Sequence, residues 1–260
     1  MRASDGQRDK FYTKNSIAKG LIQRVPDMAD YPFIIEPSAG SGSFLRHLPE
    51  RSIGYDIEPE MTGVIRQDWL TVTERYDGGL LIGNPPFGKR SSLARAFIRH
   101  GISLGFETIA FILPSTFRKH SMQRDFPESW SLILEEDLPD NSFSYGDQDI
   151  IIPCVFQIWT KRSSSIDLRK RKVKQPDEYR FLPRGSHEAD ICLNGNNGKV
   201  RRPSEVTNPK AEHYIKVLGD RGTVVRRLGE LPYEFRSSVS GGVSWISQNE
   251  INEAWNLAGY

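Results

Sequence analysis

Residues 33–44 read FIIEPSAGSGSF, an apolar run that leads directly into a Gly-rich segment. This order is typical of a strand, a tight turn and a helix, and we expect the helix to continue through Leu48. Glycine lets the main chain approach a ligand closely, so Gly40 and Gly42 favour a small ligand at the turn. The pattern is GxG rather than GxGxxG and no GK[ST] follows, which counts against hydrolysis of a nucleoside triphosphate.

Apolar runs and helix-like segments alternate along the first part of the chain. Helices are predicted over residues 14–24 and 92–104. Strands are predicted for the apolar runs Phe33–Ile35, Ile53–Asp56, Val64–Asp68, Leu80–Gly83, Thr108–Leu113, Ile150–Ile152 and Val155–Trp159. This alternation predicts an α/β fold, with a mostly parallel sheet and helices on both faces. In such sheets, ligands bind beyond the carboxyl ends of the strands.

Two aspartates stand at predicted strand ends. Asp56 follows the Gly-rich turn by the spacing at which such folds place an acid to bind ribose hydroxyls. Asp68 precedes Trp69 and could accept a hydrogen bond from an adenine amino group, with an aromatic ring packed on the base. Either aspartate alone also fits a strand-end cap. Together, in this order, they favour an adenosyl ligand.

Asn84-Pro85-Pro86-Phe87 follows the strand-like run Leu80–Gly83. Proline has no N–H and a fixed φ, so this sequence leaves a side-chain amide and a backbone carbonyl outside the sheet ladder. Two acceptors side by side suit an exocyclic amine. The same residues also fit an ordinary strand-end turn. The Gly-rich turn and the two aspartates upstream favour the amine site.

The composition, with 260 residues of which 37% are hydrophobic, is that of a soluble globular protein with one large domain or one domain and a smaller partner. No membrane span is expected, because no apolar run approaches roughly 18 residues. The N-terminal residues lack the apolar region of a signal peptide, so a cytoplasmic, nucleoid-associated location is expected. Two cysteines and five histidines without paired ligand spacing predict no metal site.

Charge divides the chain. Residues 1–160 hold 17 Lys and Arg against 21 Asp and Glu, whereas residues 161–260 hold 18 against 12. We therefore predict a catalytic domain at 1–162 and a small, mixed, β-containing basic region at 163–260 that binds a polyanion. A merely solvated surface is the alternative. Ser247 and Glu250 form a capping box that predicts a final helix reaching Leu257. The candidate phosphate contacts are Arg169 to Lys174, Lys199, Arg201, Arg202, Arg226 and Arg227.

Ordered motifs resemble those of the S-adenosylmethionine-dependent amino-methyltransferases, with a Rossmann-like fold. The closest resemblance is to DNA adenine-N6 methyltransferases whose cofactor motifs precede the catalytic motif and whose target-recognition region is C-terminal. It covers residues 9–162. The motifs are Asp9-Lys10-Phe11-Tyr12-Thr13, EPSAGSGSF at 36–44, Asp56, Asp68, NPPFG at 84–88 and Phe111 to Ser115.

The resemblance implies S-adenosylmethionine as cofactor and a role for each matching residue. Asn84 and the Pro85 carbonyl would accept both hydrogens of the target amine, Pro86 completes the motif, and Phe87 would stack on an extruded base. Glu36 departs from the commoner Asp. The implied cofactor contacts are Phe11, Tyr12 and Thr13 at the methionine end, Glu36, Ser38, Gly40 and Gly42 around the pocket, Asp56 at the ribose, and Asp68 with Trp69 at the adenine.

The nature of the substrate stays open at this stage. Adenine N6 in double-stranded DNA is the first hypothesis, and adenine N6 in RNA is the second, because NPPFG also resembles the motif of some RNA enzymes. Cytosine N4 and a glutamine amide use similar residues and rank lower. A methyltransferase-like subunit that only binds nucleic acid is the non-enzymatic alternative. The sequence does not show whether a partner subunit, a homodimer or a cognate nuclease exists.

Overall fold

The computed structural model describes residues 11–146, 148–233 and 245–260. The chain divides into two compact units, Met1–Lys170 and Arg171–Tyr260. Each unit has its own hydrophobic core, so each is described by itself. The boundary falls after Lys170, whereas the change in composition predicted it after residue 162.

The first unit contains two sheets. Its strands are β1 Tyr12–Thr13, β2 Ile34–Glu36, β3 Ile53–Asp56, β4 Ile65–Arg66, β5 Leu80–Gly83, β6 Thr108–Pro114, β7 Ser131–Asp137, β8 Phe143–Tyr145, β9 Gln148–Ile150 and β10 Cys154–Thr160. The larger sheet has the order β4-β3-β2-β5-β6-β10-β7, with β10 antiparallel to both of its neighbours. Its other pairs are parallel. These findings confirm an α/β fold with a mostly parallel sheet.

The strand order reverses between β2 and β5, which lie side by side although β3 and β4 intervene in the chain. Such a reversal opens a crevice at the carboxyl ends of the two strands. Every residue of β5 and β10 is buried, and so is nearly all of β6. Because successive side chains point to opposite faces of a sheet, both faces of these strands are covered.

The described residues of the first unit form three α-helices, α1 Asn15–Ile22, α2 Ser92–Ser103 and α3 His120–Gln123. The predicted helices at 14–24 and 92–104 are confirmed within two residues of their ends. The predicted helix after the Gly-rich turn is wrong, since only a 3-10 turn forms at Leu45–His47. Pro49 disfavours the helical conformation at Leu48, which is extended, with φ −82° and ψ 159°.

The second sheet of this unit has the order β1-β8-β9. The sequence placed Ile150–Ile152 in the main sheet, and this prediction is wrong, because Ile150 ends β9 and pairs with Phe143. Pro153 cannot donate to a ladder and separates this segment from β10. The run Val155–Trp159 does lie in the main sheet, within β10.

The second unit contains an antiparallel sheet of order β11-β14-β12-β13. Its elements are β11 Tyr179–Leu182, β12 Ile191–Asn194, β13 Val200–Arg201, β14 Glu212–Val217, α4 Arg221–Glu230 and α5 Gln248–Leu257. The final helix is confirmed, and Ser247 and Glu250 form its capping box. The small β-containing extension is therefore confirmed. Tyr179, Ile215, Leu228 and Trp255 lie in its core.

Candidate active site

Three predicted site residues lie at the ends of adjacent strands. Glu36 ends β2, Asp56 ends β3, and Asn84 follows β5, while the sheet order places β3, β2 and β5 side by side. These strands are parallel, so their carboxyl ends share one edge of the sheet. The structure thus brings the Gly-rich turn, the first aspartate and the NPPF motif to the same edge.

The Asp56 carboxylate fixes the Gly-rich turn to the end of β3. Its Oδ2 accepts a hydrogen bond from the Gly40 backbone N at 2.7 Å, and its Oδ1 accepts one from the Glu58 backbone N at 2.8 Å. The Gly40 carbonyl in turn accepts from the Glu60 backbone N at 3.0 Å. Two backbone donors therefore orient the carboxylate, and each of its oxygens keeps a further lone pair for a ligand hydroxyl.

Glycine is required at two positions of this turn. Gly40 and Gly42 have φ angles of 50° and 83°, which side-chain-bearing residues rarely adopt. A Cβ at Gly42 would overlap the Met61 sulfur, and one at Gly40 would lie 3.3 Å from the Tyr12 ring. The Tyr12 hydroxyl donates to the Glu60 carboxylate. Strand β1 therefore holds an aromatic ring against the Gly-rich turn.

Glu36 joins the end of β2 to the turn from inside the protein. The residue is 2% exposed, and its Oε2 accepts a hydrogen bond from the Leu45 backbone N at 2.8 Å. Burial raises the pKa of Glu36 well above its usual value, and the nearby negative charge of Asp56 adds to the rise. Glu36 is thus a buried acid that favours its neutral form.

Asn84 is held by contacts on both its side chain and its backbone. Its Nδ2 donates to Thr13 Oγ1 at 3.2 Å, and its backbone carbonyl accepts from Ser38 Oγ at 3.0 Å. Its Oδ1 is buried and has no hydrogen-bond partner among the residues that the structure describes. Leaving such an acceptor unpaired costs about 1–3 kcal/mol. The arrangement presents one oriented acceptor that lacks a donor.

Phe87 lies in an aromatic cluster with Phe11, which precedes β1, and Phe143 of β8. Its ring centroid is 5.3 Å from that of Phe11, which is 5.0 Å from that of Phe143, and Phe87 is 8% exposed. Phe143 begins β8 and is fully buried. Sequence reasoning missed Phe143, because it and Tyr145 are two aromatic residues in a short polar stretch, too few to show a strand period. Its only signal was an apolar residue within the polar segment 139–149.

The second aspartate and its neighbour occupy different environments. Asp68 is exposed, and its Oδ1 accepts from the Leu70 backbone N at 2.9 Å, which caps a short 3-10 turn. That turn directs Trp69 into the core, where it is 1% exposed and packs edge-on against His100 and Phe106. The structure therefore places Trp69 behind the site rather than on its surface.

The predicted phosphate contacts differ in exposure. Arg169 is 8% exposed, its Nη2 donates to the Pro127 carbonyl at 2.7 Å, and its guanidinium lies 4.9 Å from the Trp159 ring centroid. Arg169 thus anchors the first unit, which makes its assignment as a surface phosphate contact wrong. Within the second unit, Arg201 and Arg227 are half-buried. The other candidates, Lys170, Arg171, Lys172, Lys174, Lys199, Arg202 and Arg226, are exposed.

Within residues 11–146, 148–233 and 245–260, no group of three or more His, Cys, Asp or Glu side chains could hold a metal ion. No helix there is both long enough and apolar enough to cross a membrane.

Neither a protein-family model nor a curated protein sequence matches the chain. Similar solved structures include a proposed RNA methyltransferase from Pyrococcus horikoshii, 14% identical over 61% of this chain and 89% of its own, with a TM-score of 0.45. The 23S rRNA methyltransferase ErmE is 14% identical over 59% of this chain and 70% of its own, with a TM-score of 0.43. The M protein of the type I restriction enzyme EcoKI is 16% identical over 61% of this chain and 45% of its own, with a TM-score of 0.44.

Proposed function

We propose that this protein transfers a methyl group from S-adenosylmethionine to the N6 amine of adenine in DNA. The observation that carries the proposal is the buried Oδ1 of Asn84, which has no donor among the described residues. Thr13 accepts from the amide nitrogen, so this oxygen is the atom of the amide left to accept a hydrogen bond from a ligand. An exocyclic amine is a donor that would satisfy it.

The NPPF motif offers the amine a second acceptor. The Pro85 carbonyl accepts no hydrogen bond within the described part of the chain, and the ring of Pro86 removes the next backbone donor. An amine that donates one hydrogen to Asn84 and the other to Pro85 loses conjugation with its base, so its lone pair becomes available. The amine is neutral, and positioning by fixed dipoles therefore carries the catalysis without a general base at the start.

The residues around the Gly-rich turn fit the proposed cofactor. The glycines permit the cofactor to approach the backbone closely. Asp56 presents an oriented carboxylate to the ribose hydroxyls. The exposed carboxylate of Asp68 can accept a further hydrogen bond, from the adenine amine. Tyr12 lies against Gly40, and Phe11 packs on Phe87 of the motif. When bound, S-adenosylmethionine supplies an electrophilic methyl group on a sulfonium. Glu36, being buried, supports the turn rather than contacting the reacting atoms.

A base in a duplex must leave the stack to reach Asn84, at a cost of a few kcal/mol. Phe87 would pack on the extruded base, and its ring is supported by Phe11, which in turn packs on the buried Phe143. The exposed cations of the second unit suit phosphate contacts and target recognition. Double-stranded DNA is the proposed partner.

The test is transfer of a tritiated methyl group to duplex DNA, single-stranded DNA and RNA assayed in parallel. We expect labelling of duplex DNA at adenine N6, established by nucleoside analysis. The variant Asn84→Ala should abolish transfer and retain cofactor binding by calorimetry, whereas Asn15→Ala, at an exposed position of α1, should behave as wild type. Labelling of RNA alone would replace DNA as the substrate. Unchanged turnover in Asn84→Ala would refute the assigned role.

A further inference from the structure

Charge in the first unit is segregated around the candidate active site. Residues 85–125 contain seven basic residues (Lys or Arg) and two acidic residues (Asp or Glu). Residues 126–160 contain no basic residue and seven acidic residues. The basic segment includes the loops that follow β5 and β6. The negative net charge of residues 1–160 therefore conceals a basic region that begins at the NPPF motif.

Most of the acidic groups have basic partners inside the same unit. Arg118 contacts Glu135 at 3.4 Å and Asp137 at 2.8 Å, and Lys14 contacts Asp149 at 2.7 Å. By contrast, Lys89, Arg90 and Arg124 are exposed and pair with no carboxylate in the part of the chain that the structure describes. These three cations are available to an external anion.

Their position ties them to the NPPF motif. Lys89 and Arg90 come two and three residues after Phe87, and the Phe87 carbonyl accepts from the Leu93 backbone N at 3.1 Å, which fixes the start of α2 to the motif. Arg124 belongs to the segment after β6, the strand that pairs with β5. Arg95 of α2 donates to Asp125 at 3.0 Å and so joins that segment to the same helix.

The backbone of this loop is held in an uncommon conformation. Arg90 has φ 55° and ψ 36°, and Ser91 has φ 61° and ψ 24°, so two successive side-chain-bearing residues are left-handed. Glycine would adopt this conformation at lower cost. Arg90 nevertheless carries a long charged side chain into solvent, where it makes no hydrogen bond or ion pair within the described residues. The folded chain itself gives no reason for an arginine there.

We propose that Lys89 and Arg90 bind the phosphodiester backbone of duplex DNA beside the target adenine, with Arg124 as an outlying contact. This proposal deepens the proposed function and rests on it. Phosphates adjacent to an extruded base lie close to the pocket that receives the base. Two cations next to the motif would fix the position of these phosphates relative to the active site. The contact is to the backbone, so it is independent of base sequence.

The test measures binding of the full-length protein to a fluorescein-labelled duplex made only of G·C pairs, which carries phosphates but no target adenine. Each phosphate contact adds about 0.9 to the slope of log K against log salt concentration. The variant Lys89→Ala/Arg90→Ala should lower the magnitude of this slope by about 1.8. The control Lys19→Ala/Arg24→Ala removes the same charge at exposed positions of the first unit outside residues 85–125 and should leave the slope within experimental error.

Two further variants separate charge from folding. The single variant Arg90→Lys should have nearly the wild-type slope, because it keeps the positive charge. Glycine suits the left-handed backbone at position 90, so Arg90→Gly should stay folded, as judged by thermal melting. Its slope should nevertheless fall by about 0.9, the contribution of one phosphate contact. A wild-type slope in Lys89→Ala/Arg90→Ala, or equal slopes for Arg90→Gly and Arg90→Lys, would overturn the proposal.

The design distinguishes this proposal from the proposed function. Methyl transfer to duplex DNA with an unchanged slope in the double variant would refute the phosphate contact alone. A reduced slope on the G·C duplex without methyl transfer to any substrate would support the contact and refute the catalytic assignment. Binding of an RNA of the same sequence, with none to the duplex, would overturn the DNA contact.

Discussion

The Asn84 amide is oriented by one hydroxyl. Its nitrogen donates to Thr13 Oγ1, and Thr13 is 4% exposed, so water does not readily replace that acceptor. We predict that Thr13→Val lowers kcat for methyl transfer about fivefold, since one hydrogen bond contributes about 1 kcal/mol to the amide's orientation. Thr13→Ser keeps the hydroxyl and should retain most of the rate. Calorimetry of cofactor binding to both variants separates this effect on kcat from loss of the cofactor contact that the resemblance implies for Thr13. Equal kcat values in the two variants would contradict this orienting role.

Glu36 makes stability dependent on pH. Its pKa is raised in the folded protein because the carboxyl is buried, whereas the unfolded chain titrates near the usual value of 4.5. The folded state therefore binds more protons between these two pKa values, and the free energy of unfolding falls as pH rises through that window, by up to about 1.4 kcal/mol per pH unit. The contribution of Glu36 to the free energy of unfolding is therefore fully present below its pKa in the unfolded chain. It is lost above its pKa in the folded protein.

Glu36→Gln should remove that fall, because the amide has no charge to desolvate. Urea unfolding of wild type and variant at several pH values from 4.5 upward is the measurement. We expect the difference in unfolding free energy between the two proteins to change with pH in favour of the variant. A constant difference across the range would show that Glu36 titrates normally in the folded state.

At the scale of elements, helix α2 packs against the sheet through a glycine. A Cβ at Gly101 would lie only 2.5 Å from Leu81 Cδ2 and overlap it, whereas a Cβ at Gly20 of α1 has nothing within 4 Å. Glycine is about 1 kcal/mol less favourable than alanine inside a helix. Gly20→Ala should therefore stabilise the protein by up to about 1 kcal/mol. Gly101→Ala should destabilise it by about 1–2 kcal/mol, because overpacking exceeds the gain in helix propensity. Denaturant unfolding of both variants tests the contrast, and two stabilised variants would contradict it.

Elements with local signals could be predicted from the sequence. Strand β5 is a continuous apolar run, α2 has helical periodicity, and α5 begins at a capping box. Strand β7 was missed, because its second half reads Glu135-Glu136-Asp137 and its ion pairs with Arg118 and Arg24 come from distant parts of the chain. No local pattern shows such partners.

The candidate site divides in the same way. The strand-end positions of Asp56 and Asn84 follow from the order of motifs along the chain, and the structure brings both to one edge of the sheet. The burial of Trp69 and the packing of Phe143 on Phe11 could not be predicted. The burial of Trp69 depends on tertiary contacts with His100 and Phe106. The packing of Phe143 depends on its pairing with the short strand β1.

At the scale of the whole molecule, the two hydrophobic cores share no residue. One is built from residues between Ala18 and Trp159, and the other from residues between Tyr179 and Trp255. Separate cores predict separate unfolding transitions, since cooperativity depends on shared packing. The Gly-rich turn, Asp56 and Asn84 all belong to the first unit.

S-adenosylmethionine should consequently stabilise only one transition. At a ligand concentration about 100 times its Kd, binding to the folded state contributes about 2.7 kcal/mol. Scanning calorimetry should show two transitions, of which one moves upward with cofactor while the other stays fixed. Asp56→Ala removes the proposed ribose contact and should abolish the shift without affecting the second transition. A single transition that moves as a whole would mean that the two units unfold as one, and an unmoved pair of transitions would argue against cofactor binding at the Gly-rich turn.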